Sequence, residues 1–87
     1  MDREILINAI KEVATPYTGD NTALDNISED TDFIKDLKIN SANLVDIVLD
    51  LEERFGIEID NDSMARMLNV KSTVEVIEAK LADNDRK

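Results

Sequence analysis

Near the amino terminus, apolar residues fall at Leu6, Ile10 and Val13, with Ala9 beside them, and this three-and-four spacing predicts an amphipathic helix from Asp2 to Ala14. Asp2 can cap its start. Pro16 disfavours helical geometry at Thr15, so the helix should stop there. From Thr15 to Asn40 the pattern dissolves, because Gly19, Asn21, Asp25, Asn26 and Ser28 interrupt any long period. A connection of this length in a compact domain is usually functional or pinned to the core. Leu24, Ile27, Phe33, Ile34 and Leu37 are the candidate pins, and Thr31 to Leu37 is compatible with a single helical turn.

The clearest period runs from Ser41 to Phe55, where Leu44, Ile47, Val48, Leu51 and Phe55 share one helix face and Gly56 offers a stop. Ile57-Glu58-Ile59 alternates but has no second strand to pair with, so it reads as an extended link that plugs Ile57 or Ile59 into the core. Asp60, Asn61, Asp62 and Ser63 supply caps for a short helix to about Asn69, with Met64, Met67 and Leu68 inward. A last helix follows, with Ser72 and Glu75 at capping-box spacing and Val74, Ile77 and Leu81 at helical intervals. Residues 83–87 read as a frayed polar tail. The sum is one all-α domain over residues 1–87: a four-helix bundle of three longer helices and one short helix, with a long loop between the first and second.

Composition narrows the chemistry. The 87 residues carry 20 acidic and 10 basic side chains, a formal charge of -10, which argues against nucleic acid or an anionic membrane as the main partner. Basic protein surfaces fit better. No stretch is apolar and long enough for membrane insertion, and Met1-Asp2-Arg3-Glu4 lacks the order of a signal peptide, so a soluble cytoplasmic monomer is expected. The absence of Cys and His removes thiolate catalysis, the commonest general base and the commonest metal ligands. No catalytic spacing, metal site or phosphate loop is found among the remaining residues. An EF-hand starting at Asp60 fails, with Ala65 where Gly is needed and Lys71 where Glu is needed.

The chemistry that remains centres on Ser41. Advancing about 100° per residue from Ser41, the core face spans roughly 240° to 340° and leaves Val45 near ~40° and Leu49 near ~80°, outside it. Asp46, Asp50 and Glu53 lie beyond this apolar pair, and Glu52 shares Ser41's side. Such a pair rimmed by carboxylates suits a basic, partly apolar partner surface, or is simply the solvated face of an acidic helix. Ser41 itself opens the helix, where unpaired N–H groups and the dipole favour an anionic substituent. By the same position, either Ser41 or Asn40 is an ordinary helix cap.

The ordered run Phe33-Ile34-Lys35-Asp36-Leu37-Lys38-Ile39-Asn40-Ser41, then Leu44-Val45-Asp46-Ile47-Val48-Leu49-Asp50-Leu51-Glu52-Glu53-Arg54-Phe55-Gly56-Ile57-Glu58-Ile59, resembles the acyl carrier protein family. The similarity continues to Ile77. In that family an Asp-Ser-Leu triplet heads the second helix, and its Ser bears 4′-phosphopantetheine derived from coenzyme A. The resemblance therefore implies Ser41 as the attachment point. Here the triplet is Asn40-Ser41-Ala42, which bears on the choice of modifying enzyme and acyl partners.

The same resemblance implies a carrier that catalyses nothing itself. Its arm would hold acyl groups as thioesters and deliver them to fatty-acid biosynthesis enzymes. Val45, Asp46, Leu49, Glu52 and Glu53 would form the docking face for a phosphopantetheinyl transferase and for acyl-chain synthases, reductases and acyltransferases with basic surfaces. Val48, Leu51, Ile59, Met67 and Ile77 would line an acyl pocket, or else only pack the core. Two alternatives stand beside this: a specialised carrier for a polyketide, unusual lipid or aminoacyl pathway, and an unmodified acidic helical adaptor.

Overall fold

Among the described residues, five helices surround an aliphatic core: α1 (Arg3–Ala14), α2 (Asn21–Asp25), α3 (Ser41–Phe55), α4 (Asn61–Arg66) and α5 (Val70–Asp85). They are seen in a computed structural model that describes residues 2–85. The all-α class and the three longer helices are those the patterning predicts. The addition is α2, a five-residue helix inside the long connection, capped by the Asp20 carboxylate on the Ala23 amide at 3.1 Å. Leu24 is its only buried residue, so it carries no period for the sequence to display.

Asp2 caps α1 as expected, its carboxylate accepting from the Glu4 amide at 3.1 Å. Helix α1 packs on both α3 and α5, and α4 packs on α5. Leu6 and Ile10 of α1, Ile47 and Leu51 of α3, and Val74 and Ile77 of α5 are buried together, removing their apolar surface from water. Val13, Leu44, Phe55 and Leu81 are half-buried at the edge of this core. No helix among the described residues is long and apolar enough to cross a membrane.

The long connection is pinned where the sequence suggests, with one exception. Leu24, Phe33 and Leu37 are buried and Ile27 is half-buried, but Ile34 is exposed. The cause is the turn at Asp32. Its carboxylate accepts from the amides of Ile34 and Lys35 at 2.9 and 2.8 Å, and its carbonyl accepts from those of Asp36 and Leu37 at 3.0 and 3.1 Å. One turn of this kind directs Phe33 and Leu37, four residues apart, to the same inner side and rotates Ile34 outward.

Gly56, with φ 65°, ends α3 in the left-handed conformation that glycine adopts without a Cβ penalty. Of the two plugging candidates after it, Ile57 is the buried one and Ile59 is half-buried. Helix α4 stops at Arg66, short of Asn69, and Leu68 is exposed where the pattern expects it inside. The backbone of 68–71 is drawn instead to the long connection. The Phe33 amide donates to the Leu68 carbonyl at 3.1 Å, the Val70 amide to Thr31 at 2.9 Å and the Lys71 amide to Glu29 at 2.9 Å.

The same recruitment moves the start of α5 upstream to Val70, so Ser72 lies within its first turn and does not act as the cap. Asn69 takes that role, its side-chain oxygen accepting from the Ser72 amide at 2.8 Å. The helix then runs through Asp85, into the segment expected to be frayed, and the remainder of that tail lies outside the described residues.

Candidate functional site

The two adjacent cap formers at the head of α3 divide their roles. Asn40 has extended geometry (φ -63°, ψ 137°), and its side-chain oxygen accepts from the Ala42 amide at 2.9 Å. Capping therefore falls to Asn40. Ser41 becomes the first helical residue, exposed, and among the described residues its hydroxyl has no hydrogen-bond partner. The first turn of α3 contains no acidic residue, so nothing there opposes the helix dipole's preference for a negative substituent.

The segment leading into Ser41 is firmly seated. Lys38 adopts a positive φ of 55°, which reverses the chain after the Asp32 turn. Ile39 is then buried, and its amide donates to the Phe33 carbonyl at 3.0 Å. A primary hydroxyl is thus presented to solvent from a fixed base. A phosphodiester fits this position: there is room for it, the hydroxyl oxygen is uncommitted, and the helix terminus favours its charge.

Along α3, Val45 and Leu49 are 46% and 56% exposed, and Asp46, Asp50 and Glu53 are exposed around them. Arg54, the only cation on the helix, does not neutralise this face. It turns to α1, donating to the Glu12 carboxylate at 2.6 Å and to the Ala9 carbonyl at 3.3 Å. Glu52 stands apart from the other four docking candidates. It is half-buried and its carboxylate accepts from the Ile59 amide at 2.7 Å, bracing the link to α4.

Of the residues suggested for an acyl pocket, Val48, Leu51, Met67 and Ile77 are packed in the core. Ile59 is half-buried and lines an open cavity of about 470 Å³ with Glu52, Glu58, Asp60 and Lys80. At the edge of this cavity the Asp60 carboxyl is held well below the ordinary carboxylate range, first by the Ser63 hydroxyl at 2.6 Å and then by Lys80 at 3.0 Å. Asp60 also caps α4, so this cluster is structural.

Tyr17 is absent from the sequence-based site. It is half-buried beyond the end of α1, and its phenol pKa is raised, first by burial and then by the charges of Asp50 and Asp46. The charge of the α3 acids thus reaches a half-buried ring that packs against the core. An isolated aromatic residue after Pro16 carries no periodic signal that would have indicated this.

Comparison with known proteins converges on the same segment. A family model described as the phosphopantetheine attachment site matches residues 8–77. The acyl carrier protein of Lactobacillus acidophilus is 35% identical over 80 residues, covering 91% of this chain and 96% of that one. That of Thermotoga maritima is 30% identical over 79 residues, covering 91% and 95%. Among solved structures, the hexanoyl form of the carrier from the actinorhodin polyketide synthase of Streptomyces coelicolor matches with TM-score 0.71 and 27% identity, covering 90% of this chain and 87% of that one. The acyl carrier protein of Enterococcus faecalis matches with TM-score 0.71, covering 92% of this chain and 99% of that one; at 23% identity it bears on the fold alone.

Proposed function

The chain belongs to the acyl carrier protein family, and from that membership we propose that Ser41 is where it carries 4′-phosphopantetheine, delivering acyl thioesters to fatty-acid biosynthesis enzymes. The observation that carries this reading is the division of labour at the head of α3. With Asn40 holding the cap, the Ser41 hydroxyl is exposed and free for esterification.

The prosthetic group, when attached, supplies a flexible arm ending in a thiol. The protein's own residues position and present it. Asn40 fixes the first turn, Ile39 and Phe33 seat the approach to it, and the acid-free first turn accommodates the phosphate charge. Val45 and Leu49 offer apolar contact, and Asp46 and Glu53 offer charge, to the basic surfaces of the phosphopantetheinyl transferase and of synthases, reductases and acyltransferases. Glu52 contributes to this face mainly by holding the Ile59 link in place.

Acyl carrier proteins are carriers rather than catalysts, and a chain without His or Cys suits that role. We read residues 1–87 as a single carrier domain, monomeric and cytoplasmic. Val48, Leu51, Met67 and Ile77 would shelter an acyl chain only if the helices part, because they are closed upon one another here.

A second reading, a carrier for a specialised pathway, draws support from the 27% identity to the polyketide carrier and from the Asn40 and Ala42 flanks of Ser41. The genes beside this one discriminate between the two: fatty-acid synthase genes favour the first, and a lone ketosynthase or adenylating enzyme the second.

Intact-mass measurement tests the attachment site. After incubation with coenzyme A and a broad-specificity phosphopantetheinyl transferase, the wild-type chain gains the mass of one arm and Ser41→Ala gains none. Equal gain by both, or none by either, defeats the assignment.

A further inference from the structure

At the far end of α3 from Ser41, two open cavities of about 470 and 400 Å³ lie along the seam between α1 and α3 and adjoin at the Glu12–Arg54 ion pair that lines both, making a groove bridged at its middle. Ile5, 55% exposed, and half-buried Phe55 give this groove an apolar stretch. Asp50 and Glu53 line its other part. The groove thus holds three carboxylates, Glu12, Asp50 and Glu53, against a single guanidinium. That guanidinium, on Arg54, is already committed to Glu12 at 2.6 Å and to the Ala9 carbonyl.

On α3, Asp50 and Glu53 lie within one turn of Leu49, so the groove is continuous with the Val45/Leu49 face. The combined surface has two apolar lobes separated by an acidic ridge. An exposed apolar lobe with an uncompensated acidic rim is complementary to a surface that is apolar and cationic.

We propose that the groove between α1 and α3 is a second docking lobe, which receives an amphipathic, arginine- or lysine-bearing segment of a partner enzyme. Apolar side chains of that segment lie against Ile5 and Phe55, and its cations meet Asp50 and Glu53. The assignment of an acyl-handling enzyme as the partner rests on the carrier function proposed above. The lobe itself does not involve Ser41, which sits about 21 Å away at the other end of the 15-residue helix.

The test is an NMR titration of the isotope-labelled full chain, at about 0.15 M salt, with a synthetic amphipathic helical peptide of Leu, Ala and Arg. A scrambled peptide of equal composition is the control. The ordered peptide shifts the amides of Ile5, Asn8, Glu12 and Arg54 and the scrambled one does not. Ile5→Ser, and separately Glu53→Lys, weaken the binding by about fivefold or more, with helical circular dichroism unchanged. Shifts confined to Val45 and Leu49, equal responses to both peptides, or full affinity in Ile5→Ser overturn the proposal. Ser41→Ala binds the peptide normally, so failure of Ser41 to be modified would count against the carrier function and leave this result standing.

Discussion

Glu52 and Ile59 are joined across the end of α3 by a 2.7 Å hydrogen bond from the Ile59 amide to the Glu52 carboxylate. A bond from a part-buried amide to an ionised acceptor is worth roughly 1.5–3 kcal/mol. Glu52→Ala therefore lowers unfolding free energy by about 1–2 kcal/mol, whereas Glu53→Ala, at an exposed position, changes it by less than about 0.5 kcal/mol. Urea denaturation of the two variants separates the brace from the docking face; equal stability would remove the distinction.

Leu49 is more than half exposed and touches little that folding requires. Leu49→Ser leaves the unfolding free energy from urea denaturation nearly unchanged, within about 0.5 kcal/mol, yet raises the KM of the carrier for a broad-specificity phosphopantetheinyl transferase several-fold. A KM equal to wild type would show that this face is not read by the loading enzyme.

Gly19 lies against Lys38, with its amide donating to the Leu37 carbonyl at 2.9 Å. A Cβ at position 19 would stand 3.0 Å from the Lys38 carbonyl oxygen and 3.2 Å from the Lys38 Cβ. Gly19→Ala should cost about 1–2 kcal/mol through this crowding. Lys38→Gly is expected to stabilise by up to about 1 kcal/mol, since relief at φ 55° exceeds the added freedom of the unfolded chain. Thermal unfolding of both variants checks the pair of signs.

The cap of α5 is Asn69, so Asn69→Ala loses about 1 kcal/mol and Ser72→Ala a few tenths. The reverse order in chemical denaturation would restore Ser72 as the cap.

The Asp60 carboxyl, held low by the Ser63 hydroxyl and by Lys80, is a folded-state group with a depressed pKa. Its contribution is full above the unfolded-state value near ~4 and declines as pH falls below it. The difference in urea midpoint between wild type and Asp60→Asn is therefore largest at neutral pH and shrinks progressively below about pH 4. A difference that stays constant with pH would refute the linkage.

How far the sequence reveals this molecule depends on whether the deciding contact is local. Helix α3 is legible because Leu44, Ile47, Val48, Leu51 and Phe55 repeat through about three turns before Gly56. Ile34 and Leu68 mislead because their apolar character is local information. What turns them outward is, in the first case, the Asp32 turn and, in the second, pairing of 68–71 with residues some 35–42 positions earlier.

Ser41 is legible through its ordered neighbours, but the freedom of its hydroxyl is not. That depends on which of two adjacent cap formers takes the extended conformation, and Asn40 does. The roles of Glu52 and Tyr17 likewise follow from three-dimensional neighbours that no periodicity announces.

The three hydrogen bonds from the amides of Phe33, Val70 and Lys71 to the carbonyls of Leu68, Thr31 and Glu29 close a loop of nearly half the chain. Ordering of the stretch that seats Ser41 must therefore await arrival of the last helix, which ties these two parts into one cooperative unit. Protection of those three amides from hydrogen exchange would rise and fall together, and slack introduced at the start of the last helix would be felt as wobble at the anchor of the arm.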